Sequence, residues 1–179
     1  MPPQGFLNPE QVLQNWDVRT GEKVADFGCG PGFYDIPLGQ KVGSNGKIYA
    51  FDIRLEALET TRAKAKLFHV FNIEPTRADL ELARGSGLRD MGVDKVLVAN
   101  ILFQAPNQSA VLDEAVRVLR PGGSLLVIEW NDNDISHPIP SSKVNKEEIK
   151  AVILSKGLIL VKEFAAGSHH YGLVFTKKE

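Results

Sequence analysis

Residues 24–32 read VADFGCGPG, and how they are read decides the fold. Val24 to Phe27 form a short apolar run interrupted by one acid, Asp26, as expected of a buried strand. Gly28, Gly30 and Gly32 follow at alternate positions, which marks a tight turn from that strand into a helix. Without side chains, such a turn can bring its backbone and the helix N-terminus against a ligand. A dinucleotide fingerprint, G-x-G-x-x-G, would need its third glycine at position 33. Phe33 stands there, so the spacing is G-x-G-x-G.

Apolar runs and helical patterns alternate outward from this turn. A first helix starts at Asn8-Pro9, a cap followed by a helix-starting proline, and ends before RTGEK at 19–23. KVADF is the first strand, and FYDIPLGQKVG at 33–43 opens a helix shortened or interrupted by Pro37. KIYAFDI at 47–53 is a second strand, LEALETTRAKAKLF at 55–68 a helix, and IEPTRADL at 73–80 a weaker third strand. DKVLVANIL at 94–102 is nearly all apolar, as a central parallel strand covered on both faces should be. QSAVLDEAVRVL at 108–119 is an amphipathic helix stopped by RPGG ahead of the strand SLLVIEW at 124–130. After the helix KEEIKAVILSKG, the strands LILVKEF and YGLVFTK are joined only by AAGSHH, too short for a crossover helix, so they pair antiparallel or leave the sheet. The expected fold is α/β: a Rossmann-like, doubly wound, mostly parallel sheet in a three-layer α/β/α sandwich, with a C-terminal antiparallel strand pair. Residues 1–179 are expected to form one domain.

The composition is that of a globular chain, 43% hydrophobic and 24% charged. A formal net charge of −1 leaves no basic footprint for nucleic acid. MPPQGFLNPEQ has neither the basic nor the apolar region of a signal peptide, and no apolar run approaches the roughly 20 residues that span a bilayer, so a cytoplasmic location without membrane contact is expected. Cys29 is the only cysteine, which rules out an intrachain disulfide and is read as a small packing residue in the glycine loop.

The G-x-G-x-G loop preceded by Asp26, Asp52 closing the second strand in AFDIR, RADL with Asp79 and Leu80, and LRPGG before SLLVIEW occur in the order found in class I S-adenosylmethionine-dependent methyltransferases. The chain resembles that family, and most closely its UbiE-like, type 11 group, over nearly its whole length. The resemblance implies S-adenosylmethionine as cofactor and S-adenosylhomocysteine as product. It implies a cofactor site at the C-terminal ends of the strands, built from Asp26, Gly28, Cys29, Gly30, Gly32, Tyr34, Asp52, Ile53, Asp79, Leu80 and Asn100. Asp52 is suited to accept both ribose hydroxyls, Asp79 to accept the adenine amino group, and Leu80 to support the ring. The competing reading of both acids is as caps of the helices that follow them.

Methyl transfer is an in-line displacement, in which the enzyme aligns the acceptor and excludes water. Where a base is needed, His137, His169 and His170 are the candidates. His169 and His170 would alternate faces at the start of a strand, so one of them at most should point at the site. Their spacing supports no metal site. Phe103, Gln104 and Trp130 are candidates for the acceptor side. The N-terminal arm up to Trp16 and the segment NDNDISHPIPSSK at 131–143 are the available covers, unless a second copy in a homo-oligomer closes the site. A small, apolar or aromatic acceptor is the leading reading. An RNA or protein acceptor, a non-catalytic cofactor-binding module and an NAD-binding domain are the alternatives.

Overall fold

The computed structural model describes residues 7–131 and 144–179. Its strands are β1 (Lys23–Phe27), β2 (Lys47–Asp52), β3 (Ile73–Arg77), β4 (Val93–Ala99), β5 (Leu119–Trp130), β6 (Leu158–Ala165) and β7 (His170–Lys177). They form one sheet in the order β3-β2-β1-β4-β5-β7-β6. The first five run parallel, and β7 inserts antiparallel between β5 and β6. Strand order reverses between β1 and β4. The crevice at that switch point lies directly beyond the glycine loop.

β1 and β4 are central because both their faces are apolar. Val24, Leu97, Leu126 and Ile128 face one helical layer, which holds α1 (Pro9–Leu13) and α2 (Asp35–Val42). α3 (Leu55–Leu67) packs Leu58 on Ala50 of β2 in the same layer. Ala25, Phe27, Val96, Val98 and Val127 face α4 (Gln108–Val118) and α5 (Lys146–Ser155) on the other side. Each fully buried leucine, such as Leu38 or Leu112, stabilises this sandwich by about 1.5–3 kcal/mol. The edges are protected: Pro75 removes a donor from β3, and a register irregularity between Leu160 and Lys162 breaks the regularity of β6. Among the described residues no helix is long and apolar enough to cross a membrane.

Two local features differ from the sequence reading, and a third removes the competing reading of Asp79 as a helix cap. Pro37 does not interrupt α2, because the helix begins at Asp35 and the proline falls in the first turn, where no intrahelical donor is required. RPGG does not precede β5 but belongs to it. Leu119 already pairs with Val93, and a shift between Val93 and Lys95 absorbs the extra residues before Ser124 pairs with Lys95. The link from β3 to β4 carries turns instead of a helix, pinned from α4. Glu114 accepts from the Ser86 N–H at 3.0 Å, and Arg117 donates to Glu114 and Asp90. Burial works to raise the Glu114 carboxyl, but these hydrogen bonds outweigh it and hold the pKa below the ordinary value.

Candidate active site

The glycine loop is positioned by β2. The N–H groups of Gly28 and Cys29 both donate to the Phe51 carbonyl at 2.8 Å, and the Gly30 N–H donates to Asp52 Oδ2 at 2.9 Å. Gly28, Gly30 and Gly32 all have positive φ, but their reasons for being glycine differ. A Cβ on Gly28 would strike Ile101 Cγ2 at 2.5 Å, and one on Gly32 would strike Thr61 Oγ1 at 2.9 Å. A Cβ on Gly30 would meet nothing nearer than Arg54 Nη2 at 4.0 Å. The first and third glycines allow close packing, while the middle one presents bare backbone to open space. Cys29 is buried in a cluster with Ala50 and Leu58, and burial pushes its thiol pKa up, consistent with a packing residue.

Asp52 is 6% exposed, with both carboxylate oxygens bonded inside the protein: Oδ2 to Gly30, and Oδ1 to the N–H and Nε of Arg54 at 2.9 and 3.2 Å. It caps no helix, since the N-cap of α3 is Arg54. Asp79 accepts the Glu81 N–H at 3.0 Å in a turn, and no helix follows it either. Both acids line a cavity of about 230 Å3 with Ile53, Leu80, Asn100 and Gln104. Ile53 is 54% exposed there, an apolar side chain standing uncovered at the cavity edge.

A second cavity, of about 410 Å3, shares Gly28, Arg54, Asn100 and Gln104 with the first. Its walls include Leu7, Pro9, Asp26, Tyr34, Trp130, His169 and His170. The two cavities are compartments of one cleft across the switch point. Asn100 stands between them in the left-handed conformation, φ 55°, held by its N–H on the Ile128 carbonyl. Its Oδ1 is buried and accepts no hydrogen bond from the described residues.

His170 stacks on Trp130, with ring centroids 4.2 Å apart, and pairs with it across β5 and β7. Its Nε2 is buried and has no partner among the described residues. Burial, aided by neighbouring His169, lowers the His170 pKa to about 4, so the ring is neutral near pH 7. Both histidines line the cavity, contrary to the expected alternation. β7 begins only at His170, so His169 lies in the preceding turn and escapes the strand's two-residue period. Phe103 departs from its expected place: it lines neither cavity and packs against the α4-side core. His137 and residues 132–143 of the expected cover lie outside the described residues.

Two buried acids escaped the sequence reading. Glu129 is fully buried, and its Oε1 accepts the Leu102 N–H at 3.1 Å, so it anchors the turn after β4. Burial pushes its pKa up to about 8. Its only sequence signal is an acid inside an apolar strand. Asp35, at the start of α2, is fully buried within hydrogen-bonding reach of Asp26.

A seven-stranded sheet ordered 3-2-1-4-5-7-6, with a glycine-rich cleft at its switch point, defines the class I methyltransferase domain. The chain belongs to the family described as methyltransferase domain, whose model matches residues 19–173. It is 28% identical over 162 residues to a demethylmenaquinone methyltransferase of Staphylococcus saprophyticus, covering 90% of this chain and 64% of that one. With a protein of the same name from Lactococcus lactis it shares 31% identity over 132 residues, 72% of this chain and 48% of the other. The chain thus spans about half to two thirds of the length of these relatives. Among solved structures, a SAM-dependent methyltransferase from Aquifex aeolicus superposes with a TM-score of 0.83 at 25% identity, covering 94% of this chain and 89% of that one. S-adenosylmethionine is the cofactor this family and fold imply. The cleft fits such a group: Gly30 offers bare backbone to open space, and Asp26 and Asn100 each keep a buried oxygen unpartnered beside it.

Proposed function

We propose that this protein is an S-adenosylmethionine-dependent methyltransferase whose acceptor is a small, largely apolar or aromatic molecule bearing a hydroxyl. One observation carries the reading. The larger compartment has walls of Leu7, Pro9, Tyr34 and Trp130, and its His170 is a neutral imidazole whose Nε2 has no partner among the described residues. The smaller compartment takes the nucleoside, with Asp52 at the ribose, Asp79 at the adenine edge, and Ile53 and Leu80 against the ring. Asp52 accepts the ribose hydroxyls in place of its two longest bonds, those from the Arg54 guanidinium at 3.2 and 3.5 Å, and keeps the backbone bonds that fix the loop. The cofactor supplies an electrophilic methyl group on a sulfonium. Asn100 and Tyr34, at the junction, orient the acceptor and keep water out. The neutral His170 accepts the hydroxyl hydrogen bond at Nε2 and takes the proton as the oxygen bonds to the methyl group, so that no positive charge is left on the oxygen. The demethylmenaquinone methyltransferases among the relatives support a small-molecule acceptor.

The test is transfer of a labelled methyl group to a panel of hydroxylated aromatic acceptors, with cofactor affinity measured separately. His170→Ala should lower kcat by about 100-fold or more and leave S-adenosylhomocysteine affinity unchanged. If the cofactor binds but no acceptor is methylated, a non-catalytic binding module becomes the better reading.

A further inference from the structure

Asp26 and Asp35 form a buried acid pair that the in-line transfer described above leaves unused. Asp26 is 1% exposed on β1 and lines the larger compartment, while Asp35 is 0% exposed behind it. Oδ2 of Asp26 and both oxygens of Asp35 accept no hydrogen bond from any donor among the described residues. Asp35 opens α2, where an acid ordinarily caps exposed N–H groups, yet it caps none of them.

Among the described residues, no cation pairs with either acid. Asp52 stands across the glycine loop and adds negative charge. The Tyr34 hydroxyl and the Cys29 thiol are both pushed up by burial and stay neutral. Arg54 is bound to Asp52, and His170 is neutral. Two carboxylates cannot both ionise in contact within such a site, so the pair retains a proton. A ligand that brings its own cation against Asp26 would change that balance.

We infer that Asp35 is a positioning residue that shares a proton with Asp26, and that the pair selects ligands carrying an ammonium group by releasing that proton when the ammonium docks. The inference rests on the cofactor reading above, since the amino acid tail of S-adenosylmethionine or its product supplies the ammonium. On binding, the carboxyl O–H of the pair breaks, the proton passes to buffer, and the Asp26 carboxylate accepts an ammonium N–H. Burial, chiefly, pushes Asp26 to about 7 and Asp35 well above its ordinary value, so the exchange falls within the working pH range. The bound state holds fewer protons than the free state, so binding must tighten as pH rises.

Calorimetric titration near pH 7 in buffers of different ionisation enthalpy counts the protons released. S-adenosylhomocysteine, which is unreactive, should release about half a proton or more, and 5′-methylthioadenosine, which lacks the amino acid tail, almost none. Affinity for the first ligand should rise several-fold between about pH 6 and pH 8, and affinity for the second should stay flat. Asp35→Asn keeps a donor for Asp26 but no releasable proton, so it should at least halve the release and flatten the profile. Equal proton release with both ligands, or none with either, overturns the inference and leaves the cofactor reading intact. Failure of both ligands to bind overturns both. The comparison between ligands is made on the wild-type protein, so it does not depend on the variant folding.

Discussion

The two ends of this sheet treat buried polar groups in opposite ways. At the N-terminal ends of the parallel strands they are matched. Trp16 Nε1 donates to Ser124 Oγ at 2.8 Å, Lys95 donates to the same hydroxyl at 3.2 Å and pairs with Glu22, and Asp94 holds the Lys23 N–H and Arg120. At the C-terminal ends, buried oxygens or nitrogens of Asp26, Tyr34, Asp35, Asn100, Glu129 and His170 find no partner among the described residues. Unpartnered buried groups cost stability, and groups that gather on one side of one cleft are available to a ligand. The contrast identifies the site without reference to any relative. It also separates substitutions that should alter binding from those that should alter folding.

The largest expected effect is at Gly30. A valine there would extend into open space where the ligand backbone lies, so Gly30→Val should weaken S-adenosylhomocysteine binding by more than about 100-fold. The φ of 54° should cost only about 1–2 kcal/mol of stability in the free protein. Gly28→Val, which collides with Ile101, should instead impair folding itself. Thermal denaturation and calorimetry on both variants check this. If Gly30→Val is as unstable as Gly28→Val, the open face of the loop has been misassigned.

At the matched end, Ser124→Ala removes the acceptor shared by Trp16 and Lys95. The expected loss is about 1–3 kcal/mol of unfolding free energy with unchanged ligand affinity. A change in affinity would mean that the two ends are coupled through β4 and β5. Asp52→Ala is next: loss of a charged acceptor facing the nucleoside compartment should weaken binding at least about tenfold. Stability should fall as well, because Gly30 and Arg54 lose their acceptor. If stability falls while affinity holds, Asp52 serves only to fasten the loop.

Much of this molecule was legible in its sequence. The mostly parallel sheet follows from the alternation of strands and helices, the cleft from the glycine spacing, and Asp52 and Asp79 from their positions at strand ends. The short linker between β6 and β7 left antiparallel pairing or departure from the sheet, and the pair stays in the sheet. What could not be read depends on three-dimensional environment. Asp35 looks like an ordinary first-turn helix acid until its burial against Asp26 is known. Phe103 follows a strand end as site residues do, and only the turn fastened by Glu129 decides that it faces the core. The alternation expected of His169 and His170 held only if both belonged to the last strand; that strand begins at His170, so His169 sits in a turn that does not obey it.

The smallest effect tests whether the unmatched end carries a stability penalty. Asp26 and Asp35 have folded pKa values above their unfolded ones, so the folded protein binds more protons than the unfolded chain between the ordinary carboxylate pKa and about pH 7. Their contribution is fully present below the unfolded pKa and is lost as pH rises through the folded value, so the ligand-free protein should become less stable between about pH 5 and pH 8. Glu129, pushed to about 8, adds to the same trend and remains in place as an internal control. Asp35→Asn removes one acid from the pair, and should raise Tm at pH 8 by about 2–4 °C and at pH 5 by less. An advantage that grows with pH shows that this end of the sheet holds its acids for a ligand at the expense of stability. One that is the same at both pH values would trace the gain to packing, and leave the acid pair as an ordinary part of the core.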